Sequence, residues 1–295
     1  YKGYKVFTAA PPSGGGITLL TSLGILNNIE INKYKSDSTK TYHFLAEALR
    51  RGHNNRSHFV GDPEYFNVPI GELLSIKRLN ELRSSIDSNK ASTVNQVYPY
   101  LPRKESKDTT HYSIIDKDGN AVSNTYTLNT AYGSGIIVKG TGILMNNEMD
   151  DFSIKPGYPN FFGLVGSEAN KVEPSKAPLS SMTPTIVFKD GKPYLITGSP
   201  GGSTIISTVL QLLLNIMIFD MKIDDASKAK RIHHQWKPDI LFIENEKNIK
   251  NINKIGFDTV YRERIGETHS ILFNEEKYEG FADLRRPDGR AISVH

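Results

Sequence analysis

The chain has 295 residues, with 36 Lys and Arg against 32 Asp and Glu, 38% hydrophobic residues and no cysteine. That length holds one large domain or two ordinary ones, and a formal charge of +4, small and scattered, makes no case for nucleic acid. Lack of cysteine excludes disulfides and thiolate chemistry, and the longest apolar stretch, residues 205–219, is too short to cross a bilayer and is interrupted by Ser207, Thr208, Gln211 and Asn215.

Tyr1 is not a Met, and Tyr4-Lys5-Val6-Phe7 already reads as an interior strand, so an upstream portion is expected. Pro11-Pro12-Ser13-Gly14-Gly15-Gly16 breaks that strand. The glycine run lacks the Lys-Ser/Thr that follows a phosphate loop and reads as a tight turn. Apolar spacing predicts helices over 17–26 and 42–56, and residues up to about 100 look mainly helical. From Ser88 to Asp108 the pattern dissolves into Ser, Lys, Asn and Pro, the composition of an exposed, flexible linker where a chain is readily cut.

Beyond it the period changes to two. Residues 112–116 and 121–128 flank Asp118-Gly119, residues 185–188 and 194–197 flank Asp190-Gly191, and residues 270–273 pair with 278–281: three hairpins. A buried helix over about 203–219 and a polar one over about 224–233 lie between the second and third. Hairpins alternating with covering helices predict a layered α+β sandwich. Lys228, Lys230 and Arg231 read as a solvated helix end. His233-His234 lacks metal-site spacing, and Trp236 reads as a packing anchor.

The chemistry concentrates at Asp108-Thr109-Thr110-His111. A Thr at the junction between a soft linker and a first strand serves as a nucleophile once the bond before it is cut. Its own α-amine then lies beside Oγ and takes the hydroxyl proton, with a reference pKa of about 7.7–8.0. Before the cut, the same Oγ can attack the carbonyl of Asp108. Gly198-Ser199-Pro200-Gly201-Gly202-Ser203-Thr204 follows a strand and opens the apolar helix, so its N–H groups are placed to stabilise an oxyanion. Asn146-Asn147-Glu148-Met149-Asp150-Asp151 offers carboxylates for an ammonium. Taken alone, the Thr pair reads better as a strand start and the acidic segment as a solvated turn, while the glycine segment can be both a strand-to-helix turn and an oxyanion site.

In order and spacing, TTHYSIIDKDGNAVSNTYTLNT, GILMNNEMDDFS, PLSSMTPTIV, GSPGGS and RIHHQWKPD resemble the γ-glutamyltranspeptidase family. PPSGGG and the segment from Arg56 to Gly61-Asp62-Pro63 look like the end of that family's large subunit. The resemblance implies a four-layer αββα fold of the N-terminal-nucleophile hydrolase type with its N-terminal part incomplete. Residues 1–108 would end the large subunit and 109–295 form the small one, after autocatalytic cleavage between Asp108 and Thr109. It implies Thr109 as nucleophile, positioned by Thr127, and Gly201 and Gly202 as the oxyanion hole. Asn129, Glu148 and Asp151 would hold the α-amino and α-carboxylate ends of a γ-glutamyl group, Glu148 and Asp151 favouring the ammonium, and Ser180 and Ser181 would bind the carboxylate. No cofactor is implied. The expected substrates are glutathione or related γ-glutamyl compounds, with amino acid or peptide acceptors, in the periplasm or outside the cell. Rival readings are a poly-γ-glutamate-acting relative, an acylase, or an inactive remnant. Two departures stand out. No segment matches the family's carboxylate-clamping arginine, a role that Arg50, Arg51 and Arg56 should not inherit. Phe162, in the lid-like loop 156–167, stands where many members carry a tyrosine latch.

Overall fold

The structure, a computed structural model, describes residues 1–94, 109–274 and 276–294. Strand β1 (Lys5–Thr8) leads into α1 (Gly14–Leu26), α2 (Thr39–Phe59), the single turn α3 (Ile70–Leu73) and α4 (Ile76–Ser84). The hairpin β2 (Thr110–Ile115) and β3 (Ala121–Tyr126) follows, and then β4 (Thr185–Lys189) and β5 (Lys192–Thr197). The chain continues through α5 (Ile205–Met217), α6 (Ile223–Lys228), β6 (Ile232–His233), β7 (Leu241–Ile243), α7 (Glu246–Lys254) and β8 (Thr259–Tyr261). It closes on β9 (His269–Phe273) and β10 (Tyr278–Ala282).

Five strands form one antiparallel sheet in the order β1-β4-β5-β9-β10. Val6, Val187, Leu195 and Leu272 stand in register across it. Val187, Leu195 and Leu272 enter the main core with Leu19 and Leu23 of α1, Leu45 and Leu49 of α2, and Val209 and Leu213 of α5. The pleat sends Ile196 to the opposite face, where it too is fully buried, because the β2–β3 hairpin packs there. Ser123 Oγ donates to Thr197 O at 2.8 Å and accepts from Thr185 N at 3.0 Å, fastening hairpin to sheet. The layers are thus helices, five-stranded sheet and hairpin. A fourth layer is not among the described residues, and Tyr112, Ile114, Val122 and Tyr126 are exposed on the hairpin.

All three expected hairpins form, and Asp190-Gly191 makes its two-residue turn with both φ values positive (50° and 80°). Other expectations need correction. Among the described residues, strand β1 lies at an edge of its sheet, paired with β4. The glycine run is no tight turn: Ser13 caps Gly15 N at 3.1 Å and Gly14–Gly16 are the first turn of α1. The polar helix ends at Lys228, and His233 is on a strand, because Ile232 N is drawn to Gln211 Oε1 at 2.9 Å. Arg231 is 1% exposed, not solvated, and donates to Asp283 Oδ2 at 2.7 Å and to the carbonyls of Ser227, Ile265 and Gly266. The linker lies mostly outside the described residues, and its near end is pinned. Ala91 N donates to Ile255 O, Ser92 N to Glu47 Oε1, and Val94 N to Asp239 Oδ2.

Candidate active site

The β2–β3 register pairs Thr110 with Tyr126, which places Thr109 directly across from Thr127 at the open end of the hairpin. Thr109 is 3% exposed, and its Oγ1 donates to Thr127 Oγ1 at 3.3 Å. Asn129 N donates to the same Thr127 oxygen at 2.9 Å. That bond needs the turn of chain at Asn129, whose φ is +77°. Asn129 Nδ2 donates to Asn147 O, linking this turn to the acidic segment.

Thr109, Thr127, Asn129, Asp151, Ser180, Ser181 and Gly202 line one cleft, with Phe162, Met182 and Ile205 completing its walls. Glu148 and Gly201 are not among its lining residues, and Asp108 lies outside the described residues. Burial, reinforced by the charge of neighbouring Glu148, pushes the Asp151 carboxyl up to about 7, while Arg56 pulls it the other way. Burial alone raises Glu148 to about 7. Neither carboxylate closes a salt bridge among the described residues.

In the same cleft as Asp151, Ser180 Oγ accepts from Met182 N at 3.0 Å and Ser181 Oγ accepts from Arg56 Nη2 at 3.1 Å. Neither hydroxyl gives its own proton to another described residue, so both have a donor left for a ligand. The serine pair is seated on the glycine run. Gly14 N donates to Ser180 O and Ser180 N to Pro12 O. A Cβ on Gly15 would meet Thr183 Oγ1 at 2.2 Å and Ser181 O at 2.8 Å.

Beyond β5 the chain turns at Gly201 (φ +130°) and Gly202 (φ +56°) before entering α5. Side chains rarely adopt these angles. A Cβ on Gly202 would also meet the Phe162 ring at 2.7 Å. Phe162, from the loop 156–167, therefore packs against Gly202 and forms part of the cleft wall. It is held by its backbone, since Gln235 Nε2 donates to Phe162 O at 3.1 Å.

Gln235 Oε1 faces His233 Nε2 at 2.8 Å, and His233 Nδ1 meets Ser207 Oγ at 2.9 Å. The amide orientation requires Nε2–H on His233, and the single proton of Ser207 Oγ is shared between His233 Nδ1 and Thr204 O, which lies 3.0 Å away. His234 likewise engages Asp239 and Trp236 N, so both rings of the pair use both nitrogens on protein partners. Trp236 is only half-buried, leaning on His58 with ring centroids 5.1 Å apart.

His111 lies two residues from Thr109 and faces Thr125 Oγ1 at 2.7 Å and Ser113 Oγ at 3.2 Å. Burial lowers its pKa to about 3, so the ring is neutral at pH 7. Sequence reasoning missed Arg56 and Gln235. Arg56 opens the segment that runs to Gly61-Asp62-Pro63 and Gln235 sits inside RIHHQWKPD, and neither motif marks the contact its side chain makes. No pattern within α2 marks Arg56, which meets Ser181 across 125 positions.

The family model described as Gamma-glutamyltranspeptidase matches residues 1–293. The glutathione hydrolase proenzyme of Escherichia coli K12 is 45% identical over 293 residues, 98% of this chain and 50% of that protein. The T380A mutant of Helicobacter pylori γ-glutamyltranspeptidase is 49% identical with a TM-score of 0.58, covering 60% of this chain and all of that one. A cephalosporin acylase from Bacillus halodurans shares the fold, with a TM-score of 0.81 over 97% of this chain and 50% of that one, at 24% identity. The chain spans about half the length of the curated relatives it matches.

Proposed function

Because the chain belongs to the γ-glutamyltranspeptidase family, we propose that it carries the centre of a γ-glutamyl transfer and hydrolysis reaction, after cutting itself between Asp108 and Thr109. Thr109 Oγ attacks the Asp108 carbonyl, the acyl group moves from nitrogen to oxygen, and water hydrolyses the ester. The products are an Asp108 carboxylate and a free Thr109 amine. That amine then takes the Oγ proton as Oγ attacks the γ-carbonyl of the substrate. The C–N bond breaks, the leaving amine receives the proton, and an acyl ester on Thr109 remains for water or an amino acceptor. Thr127 fixes the attacking oxygen, and Gly201 and Gly202 offer N–H groups to the oxyanion.

The observation that carries this reading is the polarity of one cleft. Asp151, with no salt-bridge partner among the described residues, shares the cleft with two hydroxyls that have protons to give and with the hydrogen-bonded pair Thr109 and Thr127. A γ-glutamyl head, with its ammonium and its carboxylate on one carbon, matches that arrangement. The test uses full-length protein and a chromogenic γ-glutamyl anilide. Wild type should run as two pieces on a denaturing gel and release the anilide. Thr109→Ala should stay whole and release none; splitting of that variant at the same bond would assign the cut to another protease.

A further inference from the structure

Arg56 is a cation in an unusual position. It is 4% exposed, in the last turn of α2, and its Nη2 donates to Leu179 O and Ser181 Oγ, both at 3.1 Å. Its Nε, also buried, has no hydrogen-bond partner among the described residues. No carboxylate there closes a salt bridge with it; the acidic side chain whose charge reaches it is Asp151, across the cleft. A charge taken this far from water without a counter-ion is costly, yet the fold makes room for it. A Cβ on Gly14 would meet Arg56 Nε at 2.7 Å and Cγ at 2.9 Å. The first glycine of α1 is thus a cradle for the guanidinium, as Gly15 is for the serine segment that the guanidinium touches.

We propose that Arg56 is a positioning residue for the substrate α-carboxylate, acting through Ser181. Because Ser181 Oγ already accepts from a cation, its O–H is polarised and free to point into the cleft. The guanidinium adds a fixed positive potential behind the serine pair, opposite the negative Asp151. One end of the cleft is thereby marked for an anion and the other for a cation, which fixes the direction in which a glutamyl head enters. The charge that the family places on a clamping arginine has here a second source, buried in the wall rather than touching substrate.

This inference rests on the γ-glutamyl reading, and the experiment separates the two. Full-length wild type, Arg56→Met and Arg56→Lys are assayed on the γ-glutamyl anilide and on the 4-aminobutanoyl anilide, which lacks the α-carboxylate. Arg56→Met should raise KM for the first by about tenfold or more, change kcat little, and leave the second substrate unaffected; Arg56→Lys should recover part of the loss. The pH midpoint of KM should also move up in Arg56→Met, because Asp151 loses the cation that opposes its protonation, a shift that a purely structural role would not produce. Equal losses on both substrates would overturn the proposal. If Arg56→Met does not fold, Ser181→Ala replaces it, and binding of L-glutamate as tight as in wild type would overturn it too. If wild type turns over neither anilide, the γ-glutamyl reading fails. The inference is then decided by heat protection: L-glutamate should protect wild type better than 4-aminobutanoate does, and persistence of that preference in Arg56→Met would overturn it.

Discussion

Asp151 and Glu148 each carry a carboxyl raised to about 7, which makes ligand affinity and stability move in opposite directions with pH. A carboxyl whose folded pKa is raised contributes stability that is full below its ordinary pKa and lost as pH rises through about 7. Ammonium binding needs the ionised form, so KM for the γ-glutamyl anilide should fall as pH rises through about 7. Over the same interval the melting temperature of ligand-free wild type should drop relative to Asp151→Asn; parallel melting curves at pH 5 and pH 8 would contradict this. Asp151→Ala removes the ammonium's charged partner, which costs roughly 3–5 kcal/mol for a buried pair, while self-cleavage should survive. His111→Gln should lower stability yet leave the pH midpoint of kcat in place, because a ring whose pKa burial lowers to about 3 titrates far below the α-amine and is too weakly basic to serve in its stead. A midpoint that vanished with His111 would identify the wrong base. Thr109 and Asp151 are legible in the sequence, because a linker–strand junction and a short acidic segment are local, whereas Thr127 is reached only through the family resemblance. Arg56 is not legible, because burial of a cation is decided by neighbours far along the chain.

At the scale of elements, the lid depends on a relay that joins three of them: Ser207 of α5, His233 of β6, and Gln235 beyond it, ending on Phe162 O. Gln235→Leu strands both the His233 Nε2–H and the Phe162 carbonyl, each a buried group that costs about 1–3 kcal/mol unpaired. Limited proteolysis within 156–167 should accelerate in this variant and KM should rise; cleavage at the wild-type rate would show that the lid is held elsewhere. The hairpins are legible because period-two runs around Asp-Gly turns carry their own instructions. Strand β6 is not, because its residues read as helix and a tertiary bond from Gln211 decides the matter. The glycine run misleads for a related reason. Its glycines are required by Arg56, Thr183 and Ala9 O pressing on a helix start, not by turn dihedrals.

Across the whole molecule, the proposed cut divides the chain between partners rather than between domains. Thr8 pairs with Thr185 and Val6 with Val187, and α1 packs on α5, so sheet and core each draw strands or helices from both sides of residue 108. While the chain is whole, these halves meet as neighbours on one tether, at high effective concentration. Once it is cut, the same contacts become an association between two molecules, and only mass action holds them together. Cleavage at Thr109 would thus turn a self-contained folding problem into one that the products cannot readily repeat. The intact Thr109→Ala protein should refold from urea independently of its concentration. The processed enzyme should lose recovery on dilution and melt at a temperature that rises with protein concentration. The precursor would be the form that remembers how to fold, and the active enzyme would live on the kinetic barrier that keeps its two pieces together.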